Sequence, residues 1–409
     1  MQRTVLPNGL TVLSEFYPGV RSVALGAWVR AASVHEAREV MGVSHMLEHL
    51  VFKGTERRDA HQLALSLESL GGSLDAYTSR EHTSYQARVL DENLPEAADV
   101  MLDLMFGPLL RAEDLKLERK VVLEEISMVE DTPDDVVFEL HNEALWGAHP
   151  MGFSILGTRE TVANMRIEDV RALHARAYHP PHVVVSAAGN VTHEHLLAVL
   201  AEAGWADLPR GDETPMAEVT AVPAAPQLRH VSRDGAQSHV VLGSATVPHR
   251  DQRRYALMLV DTLLGGGMSS RLFQKVREEL GLAYRVYTFQ SFHSFTGTHG
   301  VYVGTAPETR AQALAAVQDE LRRVAEHGIP EQELAQGRRQ LKGQITLGLE
   351  SPSARMYRLA SVELYREPFR ALDEVLRSVD AIDAEAASAV CREFFVPEQQ
   401  TVVSLGPES

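Results

Sequence analysis

Residues 44–55 read SHMLEHLVFKGT, a mainly apolar stretch that three polar groups interrupt. His45 and His49 are four positions apart, and Glu48 comes directly before the second histidine. On a helix, residues four apart differ by about 40° in direction, so both imidazoles would project from one face. Two imidazoles in this arrangement can bind one zinc ion, and the neighbouring glutamate could reach a water on the metal. The stretch therefore predicts a helix that carries part of a metal site, although 18 histidines in 409 residues also allow such a pattern by chance.

A catalytic zinc site needs a third protein ligand, and a second helical segment offers two candidates. In LKLERKVVLEEISMVEDTPDD, residues 115–135, Glu118 and Glu125 are seven positions apart, which is two helical turns. They share a face with Val121 and Val122, which predicts partial burial. A buried carboxylate needs a partner, and a metal would supply one, so spacing alone leaves both glutamates open.

Composition and charge exclude several classes of protein. The chain is 44% hydrophobic and 23% charged, as in globular proteins, and its length favours two domains. A formal net charge of −17 argues against nucleic-acid binding, because phosphates would be repelled. We find no apolar run long enough for a membrane span, no leader pattern in MQRTVLPNGLTVL, and one cysteine, Cys391. We therefore expect a cytoplasmic protein with no membrane partner, in which Cys391 is a core residue.

The two halves of the chain repeat one order of elements. Each reads as strands, helices, a pair of strands, further helices and a final strand, and a proline-, alanine- and acid-rich segment separates them. This order predicts an α+β protein formed by an internal duplication, with two similar domains that each contain an antiparallel-rich sheet flanked by helices. The predicted boundaries are 1–210 for the first domain, 211–226 for the linker and 227–409 for the second domain.

A third histidine pattern, HEHL at residues 193–196, has a simpler interpretation. Its two histidines are two apart and point to opposite sides of a helix, so they cannot form the same kind of site. We predict a solvated first helical turn there.

Several longer motifs together resemble the pitrilysin/insulinase family of zinc peptidases, the inverzincins, whose motif is H-x-x-E-H. They are GVSHMLEHLVFKGT, GGSLDAYTSREHTSY, ERKVVLEEISMVEDTPDD, HPMGFSILGTRETV, LLGGGMSSRLFQKVREELGLAY and LGLESPSARM. The resemblance is to the short branch that includes the mitochondrial processing peptidase and its bacterial relatives. Because the motifs lie in both halves, the resemblance covers the whole chain.

The resemblance assigns roles to the residues of the first half. It implies that His45, His49 and Glu125 bind one Zn²⁺ per chain and that Glu48 is the general base that activates water. It also implies that Glu118, a second glutamate of the same helix, orients a ligand histidine.

In the second half, the resemblance implies that Arg277 and Tyr284 hold the substrate backbone and donate hydrogen bonds to the oxyanion. Without the resemblance, Arg277 would be a surface residue of a helix and Tyr284 a core-facing residue of a strand.

The segment SLDAYTS, residues 73–79, is by resemblance the strand on which an extended peptide is bound, with Asp75, Ala76 and Tyr77 as contacts. The family commonly has asparagine where this chain has Asp75. A carboxylate cannot donate hydrogen bonds as an amide does, so we expect peptide anchoring there to differ or to favour a basic residue.

The resemblance implies a zinc-dependent endopeptidase that cleaves unfolded peptides or small proteins, bound as an extended strand inside a chamber. It further implies a clam-shell chamber formed by a dimer, in which each zinc faces Arg277 and Tyr284 of the partner subunit. The partner would be a second copy of the chain or a paralogue. The alternative is a non-catalytic structural or partner subunit of a processing-peptidase-like complex.

Overall fold

The structure is a computed structural model that describes residues 1–214, 216, 219–220 and 222–408. The strands of the first half are β1 (Gln2–Val5), β2 (Thr11–Phe16), β3 (Ser22–Val29), β4 (Ser73–Thr78), β5 (Thr83–Leu90) and β6 (Val183–Gly189). Its helices are α1 (Val43–Val51), α2 (Ala60–Glu68), α3 (Leu94–Phe106), α4 (Ala112–Glu130), α5 (Pro133–Trp146), α6 (Arg159–Asn164), α7 (Ile167–Ala177) and α8 (His193–Glu202).

The second half contains the strands β7 (Leu228–Ser232), β8 (Ser238–Thr246), β9 (Ala283–Phe292), β10 (Gly297–Thr305) and β11 (Thr401–Gly406). Its helices are α9 (Arg254–Gly265), α10 (Arg310–His327), α11 (Glu331–Gly348), α12 (Pro352–Leu364), α13 (Leu372–Asp380) and α14 (Ala384–Phe394), with a π-helix at Phe273–Glu279. Of the predicted linker 211–226, Pro215, Ala217, Glu218 and Ala221 lie outside the described residues, and the remainder has no helix or strand where it is described.

The two sheets have the same topology. The first has the strand order β1-β2-β6-β3-β5-β4, and the second has the order β7-β11-β8-β10-β9. In each sheet one parallel pair, β2 with β6 or β7 with β11, is followed by three antiparallel pairings. The predicted α+β class and the internal duplication are therefore confirmed, and β1 is an addition to the first sheet.

β3 is buried on both faces of the first sheet, which explains why it is apolar from Val23 to Val29. Val23, Leu25 and their alternate neighbours belong to the main core with α1 and α3, while Trp28 packs against α12 on the opposite face. Glycine is required at position 26 of β3, because a Cβ there would lie 2.4 Å from the Trp28 ring and 3.0 Å from Met356 Sδ. A strand covered on both faces loses the alternation of apolar and polar residues that a one-sided sheet shows.

Each sheet is covered by a helix from the other half of the sequence. Unit 1 comprises Met1–Ser127, Phe153–Val219 and Gly348–Phe369, and unit 2 comprises Met128–Gly152, Thr220–Leu347 and Arg370–Ser409. Thus α12 packs on β6 and β3 of unit 1, and α5 packs on β8 and β11 of unit 2. Since β6 corresponds to β11 and β3 to β8, the exchange is reciprocal. Each compact unit therefore includes a helix that the sequence-based division assigns to the other domain.

Burial decides two smaller sequence predictions. Cys391 is fully buried, as predicted, and burial raises the pKa of its thiol to about 12. The predicted solvation of His193 is wrong: the ring is buried between Thr4 Oγ1 and Ser14 Oγ, each 2.8 Å from a ring nitrogen. The hydroxyls that hold it lie on β1 and β2, far away in sequence.

Among the residues described, every helix is too short or too polar to cross a bilayer.

Candidate metal centre

The predicted metal helix is α1, and its apolar side chains fix which face it presents. Met46, Leu47, Leu50 and Val51 are almost fully buried in the core of unit 1. The remaining face carries the polar residues of H-x-x-E-H, which are only partly buried. The periodicity of the helix therefore separates the core residues from the site residues, as the spacing predicted.

Three candidate ligand atoms converge at this face. His45 Nε2 and His49 Nε2 are 3.3 Å apart, and Glu125 Oε2 lies 3.7 Å from the first and 3.6 Å from the second. A circle through three points with these separations has a radius of about 2.1 Å, which equals the length of Zn–N and Zn–O bonds. Among the residues described, this is the cluster of histidine, cysteine and carboxylate side chains whose ligand atoms could hold a metal ion.

The protonation of the histidines suits metal binding. Burial, with a smaller effect of His49, lowers the pKa of His45 to about 4, so its imidazole is neutral at neutral pH. His49 Nδ1 lies 3.0 Å from Glu118 Oε2, an acceptor, which places the ring proton on Nδ1 and leaves the Nε2 lone pair directed at the cluster. The lone pairs of the two Nε2 atoms and of the carboxylate oxygen repel one another, and a cation at their centre relieves that repulsion. The residues therefore fit a zinc ion.

Glu118 is held from two sides. It is 5% exposed, and its second oxygen, Oε1, lies 2.6 Å from Lys53 Nζ. Lys53 supplies the positive charge that a buried carboxylate needs, so Glu118 can accept from Lys53 and His49 together. The structure thus brings Glu118 to His49, as predicted for the residue that orients a candidate ligand. Val122 of the same helix is buried, whereas Val121 is exposed, contrary to the shared burial predicted for both.

Glu48 lies beside the cluster and is oriented by a strand. Thr78 Oγ1 donates a hydrogen bond of 2.5 Å to Glu48 Oε2. Burial raises the pKa of Glu48, and the hydrogen bond from Thr78 acts in the opposite direction. A carboxylate with a raised pKa is a stronger proton acceptor than an ordinary glutamate.

Thr78 is the last residue of β4, the edge strand of the first sheet. β4 pairs with β5 along one side and ends the sheet on its other side. Asp75 is exposed, and Tyr77 stacks on Tyr357 of α12 with ring centroids 6.2 Å apart. Because side chains alternate along a strand, Ala76 points to the same side as Thr78, and Asp75 and Tyr77 point to the other side. The predicted substrate strand is therefore a sheet edge whose end contacts Glu48.

Arg277 and Tyr284 lie in unit 2 and contact each other there. The Arg277 guanidinium is 5.2 Å from the centre of the Tyr284 ring and 4.7 Å from that of Phe273. Tyr284 is 70% exposed, so the interpretation as a core-facing strand residue is wrong. Arg277 is carried by the π-helix, a rare element that is frequent at functional sites.

Comparison with known proteins identifies the family. The model described as Insulinase (Peptidase family M16) matches residues 11–159, and that described as Peptidase M16 inactive domain matches residues 164–341. An uncharacterized zinc protease of Mycobacterium tuberculosis is 40% identical over 408 residues, 99% of this chain and 93% of that protein. The chain belongs to the insulinase peptidase family. An uncharacterized zinc protease of Bacillus subtilis is 36% identical over 402 residues, 97% of this chain and 96% of that protein.

Solved structures share the insulinase-family fold over the full chain. A peptidase M16 inactive domain from Pseudomonas fluorescens has a TM-score of 0.92 at 22% identity, covering 100% of this chain and 98% of that chain. A protease from Helicobacter pylori has a TM-score of 0.92 at 21% identity, covering 99% of both chains. The resemblance to the insulinase family inferred from the sequence motifs is confirmed by the family models and the zinc-protease relatives.

Two residues of this insulinase-family site were missed by sequence reasoning. Lys53 lies four positions after His49, in the turn just after α1, and helical spacing continued by one turn would have placed it beside His49. Thr78 lies inside the predicted substrate strand, but no sequence spacing indicates that it contacts Glu48.

Proposed function

We propose that this protein is a zinc-dependent endopeptidase that cleaves peptides or small unfolded proteins bound in extended form. The observation that carries the proposal is the triangle of His45 Nε2, His49 Nε2 and Glu125 Oε2, whose edges of 3.3–3.7 Å match one zinc ion. The names of the mycobacterial and Bacillus relatives, both zinc proteases, support the same metal and reaction.

A zinc ion bound by these three residues would supply Lewis-acid chemistry, lowering the pKa of water and polarising the scissile carbonyl. Glu48 is the general base: it takes the proton of the attacking water and passes it to the leaving amine. Thr78 holds one oxygen of Glu48, so the carboxylate has a fixed orientation for both transfers. Glu118 holds the proton of His49 on Nδ1 and keeps Nε2 available for the metal.

The peptide is bound by the outer edge of β4. Main-chain groups along this edge can pair with an extended chain, which gives affinity with little dependence on sequence. The contact between Thr78 and Glu48 supports this proposal, because a peptide paired with β4 would pass the general base. Side chains on the other side of that peptide would meet Asp75 and Tyr77, and the exposed carboxylate of Asp75 favours a basic residue there.

Arg277 and Tyr284 are proposed to stabilise the tetrahedral oxyanion and hold the substrate backbone. Their mutual contact and the exposure of Tyr284 support a site that is assembled before substrate arrives. We further propose a dimer, formed with a second copy or a paralogue, in which each metal site uses Arg277 and Tyr284 of the partner subunit.

The decisive experiment is metal analysis combined with hydrolysis of a quenched peptide library. Wild type should bind one zinc per chain and cleave peptides within their length. Glu48→Gln should bind the same zinc and lose about 10²–10⁴-fold in turnover, since only the general base is removed. Full activity of Glu48→Gln, or wild-type protein without stoichiometric zinc, would contradict the proposal.

The second candidate function is a non-catalytic structural or partner subunit. The match of residues 164–341 to a model described as an inactive domain favours it, but that region excludes His45, His49 and Glu125. The same peptide library decides between the two candidate functions, because a structural subunit would cleave none of the peptides even if it bound zinc.

A further inference from the structure

Glu36 is a buried carboxylate that the proposed chemistry does not use. It is 6% exposed and lies six residues before Gly42, the N-cap of the metal helix α1. Its Oε2 accepts a hydrogen bond of 2.7 Å from the Gly42 N–H, and its Oε1 accepts one of 2.8 Å from the Ser44 N–H. These donors belong to the N-terminus of α1, where the first N–H groups of a helix have no partner within the helix.

The N-terminus of α1 cannot be capped by its own residue. The N-cap is Gly42, which has no side chain and has a φ of 90°, a conformation that other residues rarely adopt. A Cβ at this position would lie 2.6 Å from Leu156 O and 2.9 Å from Gly157 Cα, so the close approach of the two loops requires glycine. Thr161 Oγ1 donates a hydrogen bond of 2.8 Å to Met41 O and fixes the same approach. Glu36 therefore supplies from a neighbouring loop the cap that Gly42 lacks.

The two ligand histidines of α1 are supported differently. His49 Nδ1 is held by Glu118, whereas His45 Nδ1 is buried and has no hydrogen-bond partner among the residues described. The orientation of the His45 ring thus depends on the position of the first turn of α1. That turn is held by Glu36 through Ser44, the residue directly before His45.

We propose that Glu36 is a positioning residue of the metal site, which fixes the first turn of α1 and thereby directs His45 Nε2 at the metal. Glu36 does for His45 through the backbone what Glu118 does for His49 through its ring. This inference rests on the proposed function, because it assumes that the cluster binds zinc.

The ionisation of Glu36 gives the inference a second readout. Burial raises the pKa of Glu36 to about 7, while the N–H groups of Ser44 and Gly42 and the positive charge of Arg80 act in the opposite direction. Above this pKa the carboxylate accepts from both N–H groups. Below it, the proton occupies one oxygen, and that oxygen then opposes an N–H donor. The support of the first turn should therefore weaken as the pH falls through about 7.

The test compares Glu36→Gln with Glu39→Gln, the same substitution at an exposed glutamate of the same loop. Glutamine keeps the size of Glu36 but offers one acceptor oxygen, and its NH₂ group opposes the other N–H. We expect Glu36→Gln to weaken zinc binding about tenfold in competition with a chelator above neutral pH, as for groups that orient metal ligands. Glu39→Gln should bind zinc within about twofold of wild type.

The difference between wild type and Glu36→Gln should shrink as the pH is lowered through the titration of Glu36. The absorption spectrum of the Co²⁺-loaded variant should also differ from that of wild type, because His45 is misdirected. Glu36→Asp, which keeps the charge but is too short to reach both N–H groups, should show the same change if the glutamine variant does not fold. Loss of thermal stability with unchanged zinc affinity and cobalt spectrum would overturn this inference alone. Wild type without zinc affinity would instead overturn the proposed function together with it.

Discussion

The pairing of Glu118 with both Lys53 and His49 makes a sharp prediction for Glu118→Gln. The carboxylate accepts from Lys53 Nζ at 2.6 Å and lies 3.0 Å from His49 Nδ1. An amide has one acceptor oxygen, and the Lys53 ammonium, which only donates, must take it. The amide NH₂ then opposes His49 Nδ1–H. The ring can relieve this conflict by moving its proton to Nε2, which removes the lone pair needed by the metal.

The free-energy cost of Glu118→Gln follows from the burial of this side chain. A buried donor without a partner costs about 1–3 kcal/mol, and each 1.4 kcal/mol is about a factor of ten in affinity. Glu118 is 5% exposed, so water cannot replace the lost partner. We expect Glu118→Gln to weaken zinc binding by roughly 10–100-fold, measured by competition with a chromogenic chelator at constant pH.

Two further variants test whether the weaker zinc binding of Glu118→Gln has this cause. Glu124→Gln, on the exposed face of the same helix, should bind zinc like wild type. Adding Lys53→Met to Glu118→Gln should restore most of the affinity, because the amide oxygen is then free to accept from His49 Nδ1–H. Wild-type affinity in Glu118→Gln, or no recovery in the double variant, would refute the argument from the tautomer of His49.

Two other predictions concern the dimer and the second unit. A mixture of subunits that carry His45→Ala with subunits that carry Tyr284→Phe should regain about a quarter of wild-type peptidase activity. Half of the dimers would be mixed, and each mixed dimer would have one intact site out of two. No recovery of activity would exclude a site shared between subunits. Burial raises the pKa of Asp261 in α9 from 3.8 to about 7. Between these two values the folded chain keeps a proton that the unfolded chain releases, so the folded state loses stability as the pH rises through this range. Denaturant unfolding should show that Asp261→Asn removes up to about 4 kcal/mol of this pH dependence, and parallel pH curves for wild type and variant would contradict the assignment.

Local spacing predicted much of the fold and of the candidate site. His45 and His49 share a helical face, as do Glu118 and Glu125, because a helix fixes the direction of every side chain along its own length. The order of strands and helices likewise predicted two sheets of the same topology, since consecutive elements usually pack as neighbours.

Contacts between distant segments were not predictable in the same way. Thr78, Glu36 and the hydroxyls around His193 have no sequence spacing that relates them to their partners, because only the packing of separate elements brings them together. The apolar faces of α5 and α12 showed that each helix packs against something, but an amphipathic pattern does not say which sheet it covers.

The exchange of α5 and α12 has a consequence for how the chain folds as it is synthesised. The first sheet is complete in sequence at Gly189, but the helix that covers its Trp28 face begins only at Pro352. At ribosomal speeds of about 5–20 residues per second, that face waits roughly 10–30 s for its cover. A nascent chain of this protein therefore presents a broad apolar β-surface to the cell for many seconds, and a chaperone that shields it would raise the yield of folded protein.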